Sequence, residues 1–337
     1  MTPDAKADLV QLGADWAYLL FAVDDTAGTD LMPSSTGTAQ LTAWFHELFL
    51  AAAHPTAAES QPNDPRNEGN AFLQAASHLS LRVRQSVPRH LWHRWVRLHY
   101  PIMWGAAWES AHRDHQRRAS FNSYLGARPG LGAAEGTILM GEIAAELDVP
   151  EREREHPLVR AVIDIAALVI CLDDDIYSWP RERHIAERVG RDPADDTSAI
   201  PILAREHHLS IEDAVDLTVS IRDRLVRRFE VLAAQITPGR FTPATVSLAE
   251  ITANLIVTGI IWAEGSPRYT DPDGSAPGSV PLKWEGRHTQ APTDTPLPYP
   301  VTTAWWQRTS TPERHAAGQQ HGRRDDATSA ECRQTVE

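Results

Sequence analysis

Apolar residues recur every three to four positions through most of the chain up to Trp262, the spacing of an amphipathic helix. The pattern predicts helices over residues 41–53, 71–83, 91–113, 132–147, 158–177, 211–236 and 246–262. A further apolar run, Trp16 to Val23, lies near the N-terminus. Breaks rich in Pro, Gly and polar residues fall at 55–65, 127–132, 149–157 and 188–201. The strict alternation that marks strands is nearly absent, as are internal repeats and long heptad runs. The expected fold class is all-α, a single helical bundle.

The texture changes after Tyr269. Pro272, Pro277, Pro281, Pro292, Pro296, Pro298, Pro300 and Pro312 punctuate a tract of Thr, Gly, Ser, Asp and Gln. Such a composition buries too little apolar surface to offset the entropy of ordering it. The sequence therefore divides into a helical domain at 1–269 and a tail at 270–337 that is expected to be disordered. His112, His115 and the His207-His208 pair, near an expected helix start, read as solvated surface. Cys171, inside an apolar run, reads as a small core residue.

Composition narrows the function classes. The 337 residues, 37.3 kDa, suffice for a sizeable core. A formal net charge of −13 argues against a nucleic-acid binder, whose affinity rests on Lys and Arg. Two cysteines exclude a disulfide scaffold and fit a reducing compartment. No apolar run approaches the ~20 residues of a membrane span, and the N-terminus lacks a signal pattern. The expected location is the cytoplasm.

Two apolar runs end in acids. The first closes on Asp24-Asp25 and the second on Asp173-Asp174-Asp175. Carboxylates near a helix C-terminus face the negative end of its dipole, and beside an apolar run they are worse placed unless cations neutralise them. An isolated Asp-Asp pair is ordinarily a solvated helix end. Two clusters together suggest a hard-cation site, for which Mg²⁺ is the usual ion when phosphate oxygens complete the shell. Asp174, Ser178 and Glu182 stand at i, i+4 and i+8, stacking three oxygen donors on one helical face. One turn back, that face carries Ile170, then Ala167 and Ile163, an apolar wall below a metal clamp. Pro180, between two of the donors, predicts a kink.

At this point the chain resembles the bacterial class I terpene cyclases, as a member shortened at the N-terminus. Asp174-Asp175-Ile176-Tyr177-Ser178-Trp179-Pro180-Arg181-Glu182 is similar to that family's second metal motif, (N/D)Dxx(S/T)xxxE, and Asp24-Asp25 to its aspartate-rich first motif. Arg128, 46 residues before Asp174, matches the diphosphate-sensing Arg, and Gly132, four residues later, matches the Gly whose carbonyl faces the pocket. Between them stands Leu131, where such enzymes often carry an acidic or polar residue. Arg181 matches a basic residue that contacts diphosphate, and Arg268-Tyr269 the late pair that closes over it. The ordered set spans Asp24 to Tyr269, about three quarters of the chain. The first motif lacks its usual third acid: the positions hold Gly28 and Thr29, and the next acid is Asp30. Only 23 residues precede Asp24, so the family's first helices are missing from the expected domain.

The resemblance implies a helical bundle around a central apolar pocket and Mg-dependent ionisation and cyclisation of a linear prenyl diphosphate. Farnesyl diphosphate is the first choice; diterpene and monoterpene substrates, or an inactive truncated homologue, are the alternatives. A chain-elongating prenyltransferase ranks lower, because that family carries a second DDxxD box where this chain has the Ser/Glu form. Implied metal ligands are Asp24, Asp25, Asp174, Ser178 and Glu182, holding three Mg²⁺ by analogy. Arg128, Arg181, Arg268 and Tyr269 would bind the diphosphate, with Arg128, Gly132, Arg268 and Tyr269 taking part in catalysis. The implied partner is a small prenyl diphosphate, and the family leaves room for a homodimer. The residues give a physical account of the same chemistry: Arg forks and Mg²⁺ stabilise charge growing on a leaving diphosphate, and a closed apolar pocket keeps water from the allylic cation.

Overall fold

The computed structural model describes residues 5–25, 37–55, 70–114, 118–283 and 292–307. Among these, all regular structure is helical, apart from one isolated bridge between Pro238 and Phe241. The N-terminal part holds α1 (Ala7–Asp25), α2 (Thr38–Ala53), α3 (Asn70–Ser86), α4 (Arg89–Arg97) and α5 (His99–Asp114). The middle holds α6 (Phe121–Leu131), α7 (Ala134–Ala144), α8 (Glu151–Arg154), α9 (Pro157–Arg188) and α10 (Ala199–His207). Then come α11 (Ile211–Ala233), α12 (Pro243–Gly265), α13 (Pro267–Thr270) and α14 (Thr303–Gln307).

Helix α9 is the axis of the bundle. It starts on a cap, His156 Nδ1 accepting from Leu158 N at 3.2 Å, with Pro157 at the first helical position. Its apolar half is buried nearly all round, with Ile165, Ala166, Leu168 and Val169 at 0 % exposure. It packs against α11, α12, α7, α6 and α10, which is why it lacks a polar stripe there. Past the apolar run that ends at Tyr177, it continues through Pro180 to Arg188, so Asp174, Ser178 and Glu182 lie on one helix as expected. Helix α7 is a second buried element. Its Gly136 lies against the Trp16 ring of α1 and Gly141 against Ile251 of α12, so the small residues let three helices meet. A second apolar cluster joins Trp16, Phe49, Leu79, Trp92 and Trp95.

Four local expectations change. The predicted helix at 91–113 is two helices, because Pro101 has no N–H with which to continue the α4 ladder and sits instead in the first turn of α5. Pro129 and Gly130 do not break α6, which runs to Leu131. Gly105 and Gly130 serve close packing instead: an added Cβ would lie 2.6 Å from Leu131 Cβ and 2.7 Å from the Pro101 carbonyl oxygen, respectively. The turn comes at Gly132-Ala133, with Ala133 at φ 51°. His207-His208 closes α10 rather than opening a helix, with His208 as a left-handed cap at φ 54°. Helix α12 corrects the reading that no run has membrane length: it is 23 residues with mean hydropathy 1.6 in its most apolar window. Its Thr245, Leu248, Thr252 and Leu255 are nevertheless buried, and it packs on α9 and α7 as a core helix does.

The expected disorder after Tyr269 fails for residues 292–307. Leu297 and Trp305 join the main core, and Tyr299 meets Phe121 edge-on at 5.0 Å. Arg228 of α11, buried in the bundle, anchors the segment. Its Nε and Nη2 donate to the Trp305 carbonyl at 3.0 and 2.7 Å, and Nη1 donates to Asp294 at 3.0 Å. Burying an Arg demands such partners. Residues 308–337, Asp30 and His115 lie outside the described residues.

Candidate active site

The last turn of α1 carries Asp24 and Asp25, and the middle of α9 carries Asp174, Ser178 and Glu182. The short helix α13 brings Arg268 and Tyr269 between them. It is fixed by Ser266, whose Oγ accepts from Arg268 N at 3.4 Å. Arg268 turns to the first acid cluster: Nη1 donates to both Asp25 oxygens at 3.0 and 2.9 Å, and Nη2 to Asp24 at 3.3 Å. Tyr269 turns to the second: its hydroxyl donates to Asp174 Oδ1 at 2.6 Å. Burial and the adjacent Asp174 charge push the Tyr269 phenol well above its usual range, so it stays a neutral donor. Arg181, one residue before Glu182, donates from Nη2 to Asp25 Oδ1 at 3.3 Å. The structure thus brings together groups that are far apart in sequence.

Arg128 stands at the other side of Asp174. Its Nη2 donates to Asp174 Oδ2 at 2.6 Å and its Nε to Asp175 Oδ1 at 2.8 Å. Burial alone would weaken its charge, but the Asp175 carboxylate holds the guanidinium firmly protonated. Gly132 follows, its N–H donating to the Arg128 carbonyl at 2.8 Å. Its lack of a side chain is needed here: a Cβ would lie 2.6 Å from Cys171 Sγ. Burial pushes that Cys171 thiol up to about 12, so it is a packed thiol and no nucleophile.

The donor set suits a hard divalent cation. Carboxylate and hydroxyl oxygens are the ligands such ions take. Ser178 is buried beside the Glu182 carboxylate, its Oγ forming no hydrogen bond of full geometry there, so the two oxygens stand together as donors for a cation. Burial, with the Asp196 and Asp175 charges nearby, pushes Glu182 well above the usual carboxylate range, and a cation would relieve that strain. Among the described residues no three acidic, His or Cys side chains converge into a complete site, and Arg128, Arg181 and Arg268 pair with the carboxylates. A carboxylate has lone pairs enough to accept from an arginine and to ligate a cation, so the arginines do not exclude a metal from these acids.

Apolar surface adjoins the charged groups. Phe21 of α1 stacks on Trp262 of α12, centroids 5.6 Å apart and planes at 8°, and the Arg268 guanidinium lies 4.7 Å from the Phe21 centroid. Tyr18 on the same helix as Phe21, and Val257, Ile261 and Trp262 itself on α12, are exposed. The expected wall behaves differently: Ile163 and Ala167 are packed in the core, and only Ile170 is partly exposed. A separate apolar cavity of ≈ 50 Å³ lies between α1, α2, α3 and α5, lined by Leu20, Val23, Phe45 and Met103 among others.

Sequence reading missed the inner partners. Asp173, Asp174 and Asp175 are consecutive, so successive side chains turn by about 100° around α9. Only Asp174 faces the clamp. Asp173 pairs with Arg222 of α11 at 2.8 and 3.1 Å, and Asp175 is 1 % exposed, bonded to Tyr124 and Arg128. The available signal was the helical register itself: acids on the inward faces of an apolar helix require internal cations. Phe21 was likewise missed, although it lies one turn before Asp24-Asp25 on the same helix.

Residues 15–228 match the family model described as Terpene synthase family 2, C-terminal metal binding. The chain is 30% identical over 314 residues to phomopsene synthase of Allokutzneria albata, covering 91% of this chain and 81% of that protein. It is 26% identical over 276 residues to (+)-T-muurolol synthase ((2E,6E)-farnesyl diphosphate cyclizing) of Streptomyces clavuligerus, covering 81% and 62%. Among solved structures, it superposes on the SVS_A2 protein from ancestral sequence reconstruction with TM-score 0.73 at 25% identity, covering 91% and 82%.

Proposed function

The chain belongs to terpene synthase family 2, a class I terpene cyclase acting on prenyl diphosphates, and from that premise we propose that its substrate is farnesyl diphosphate and that the residues around Arg268 and Tyr269 ionise it. The observation that carries the assignment of residues is the double clasp: Arg268 on Asp24 and Asp25, Tyr269 on Asp174. The farnesyl choice is supported by the muurolol synthase relative, which cyclises (2E,6E)-farnesyl diphosphate.

Asp24 and Asp25 on one side, and Asp174, Ser178 and Glu182 on the other, would hold Mg²⁺, three ions by analogy. The ions, when bound, neutralise charge on the leaving group. The chain's own residues do the rest. Arg128, Arg181 and Arg268 supply planar N–H forks to the diphosphate oxygens, and Tyr269 adds an O–H donor. The C–O bond breaks with both electrons passing to the diphosphate, leaving an allylic cation. These donors meet the charge that develops on the departing oxygen, where fixed dipoles in a closed site act most strongly. Gly132 leaves room beside Arg128 for its backbone turn. Phe21 and Trp262, beside Arg268, supply the aromatic surface next to which the cation forms. The product forms by ring closure and loss of a proton or capture of water, and the location proposed is the cytoplasm.

The test is release of diphosphate from farnesyl diphosphate by the intact chain with Mg²⁺. Release that stops in excess chelator supports the reading, and chelator-resistant release overturns the metal assignment.

A further inference from the structure

Asp175 and Tyr124 form a buried pair behind Arg128, on the side away from Asp174's exposed edge. The Asp175 carboxylate divides its two oxygens. Oδ1 accepts from Arg128 Nε at 2.8 Å and lies 2.7 Å from Nη2. Oδ2 accepts from the Tyr124 hydroxyl at 2.8 Å and from Ala199 N at 2.6 Å. Ala199 opens α10, so that second oxygen also meets the positive end of a helix. Tyr124 is itself 0 % exposed and stacked on Phe121, centroids 5.3 Å apart. The carboxylate is therefore fixed from α6, α9 and α10 at once, and one edge of the Arg128 guanidinium is fixed with it.

We propose that Asp175, locked by Tyr124, is the positioning residue for Arg128: it holds the guanidinium in the orientation that receives the diphosphate. This rests on the diphosphate reading above and adds to it two residues that touch no substrate. The physical benefit is preorganisation. A free Arg loses several rotors when it grips an anion, whereas one already held by its Nε edge loses little. Electrostatics alone gives the opposite sign. Asp175 is negative, so removing its charge would strengthen attraction for an anion, while loss of positioning weakens it.

Titration calorimetry with inorganic diphosphate and excess Mg²⁺ separates the two. The full chain is compared with Asp175→Asn, Tyr124→Phe, Arg128→Lys and the two double variants, with thermal unfolding in parallel. Asp175→Asn is expected to bind diphosphate about tenfold more weakly and Tyr124→Phe about threefold, as for loss of one charged and one neutral hydrogen bond that act indirectly. In the Arg128→Lys background neither change is expected to cost more than about twofold, because residues acting through one partner are non-additive. A merely structural role moves the unfolding midpoint without that coupling. Unchanged or tighter binding by Asp175→Asn, or an equal loss with and without Arg128, would overturn the proposal. If Asp175→Asn does not fold, the Tyr124→Phe pair decides on the same criteria. Failure of the unsubstituted chain to bind diphosphate would overturn the functional reading and this inference with it; binding indifferent to Asp175 and Tyr124 would overturn the inference alone.

Discussion

Arg268 grips Asp25 across 243 residues of sequence, both carboxylate oxygens lying within 3.0 Å of Nη1. The contact joins the end of the first helix to the turn after α12, and Tyr269, the next residue, joins the same turn to α9. Replacing Arg268 by Lys keeps the charge and removes the planar fork. Turnover is expected to fall by about tenfold or more, with a much smaller change in the unfolding midpoint. Full activity in Arg268→Lys would take this residue out of the site.

The donor face of α9 is tested by Glu182→Gln against Glu187→Gln. Glu187 is an exposed partner of Arg183 at 3.8 Å, five residues on, and serves as the control. Glu182→Gln is expected to lower turnover by about 10²-fold if the lost interaction acts mainly in the transition state. Equal losses in the two variants would show that the assignment of the helical face is wrong.

Much of this was legible in the chain because two periodicities coincide. The helical repeat marked α9, and the same repeat placed Asp174, Ser178 and Glu182 in one row. What was not legible depended on partners distant in sequence. No local pattern tells that Asp173 meets Arg222 or that Asp175 meets Tyr124 and Arg128. Gly130 looked like a helix breaker, yet its role is set by a neighbouring helix that sequence alone does not show. Residues 292–307 looked disordered because their composition is polar, whereas Leu297 and Trp305 find room in a core built by other segments.

That C-terminal segment carries a stability prediction. A chain ending at Lys283 exposes the site of Trp305 and leaves Arg228 without its carbonyl and carboxylate partners. Loss of ~3 kcal/mol or more is expected in denaturant unfolding, from lost apolar burial and lost charge-assisted hydrogen bonds together. Arg228→Ala is expected to reproduce a large part of that loss. Unfolding curves that coincide with the full chain would contradict the packing described.

A second buried pair lies away from the site. Glu142 of α7 and Arg154 of α8 are 0 % and 1 % exposed and hydrogen-bonded to each other. Glu142→Gln takes from buried Arg154 its hydrogen-bonded counter-charge and leaves only the Glu135 charge nearby, so about 3 kcal/mol of stability is expected to be lost. The measurement is equilibrium unfolding, and a change below about 1 kcal/mol would contradict the prediction.

His99 gives a pH dependence. Its Nε2 accepts from Trp16 Nε1 at 3.3 Å and its Nδ1 lies 3.0 Å from the Trp95 carbonyl. Burial holds its pKa below the ordinary 6.5, against the opposing pull of the Val96 and Trp95 carbonyls. The unfolded chain therefore takes up the proton first as pH falls, and the stability from neutral His99 is complete above the unfolded value and is lost below it. Between about pH 7.5 and about pH 5.5 the unsubstituted chain is expected to lose more stability than His99→Gln. Equal losses would show that His99 is not the group responsible.

The central claim is that this chain ionises and cyclises a prenyl diphosphate through the two acid clusters and their arginine clasp. Its most direct test is mass spectrometry of the volatile products after incubation with farnesyl, geranylgeranyl and geranyl diphosphate in turn, with Mg²⁺, for the full chain and Glu182→Gln. The account predicts a cyclised product from farnesyl diphosphate that disappears with chelator and is strongly reduced in Glu182→Gln. A folded, Mg²⁺-supplied chain that leaves all three diphosphates unchanged would contradict it.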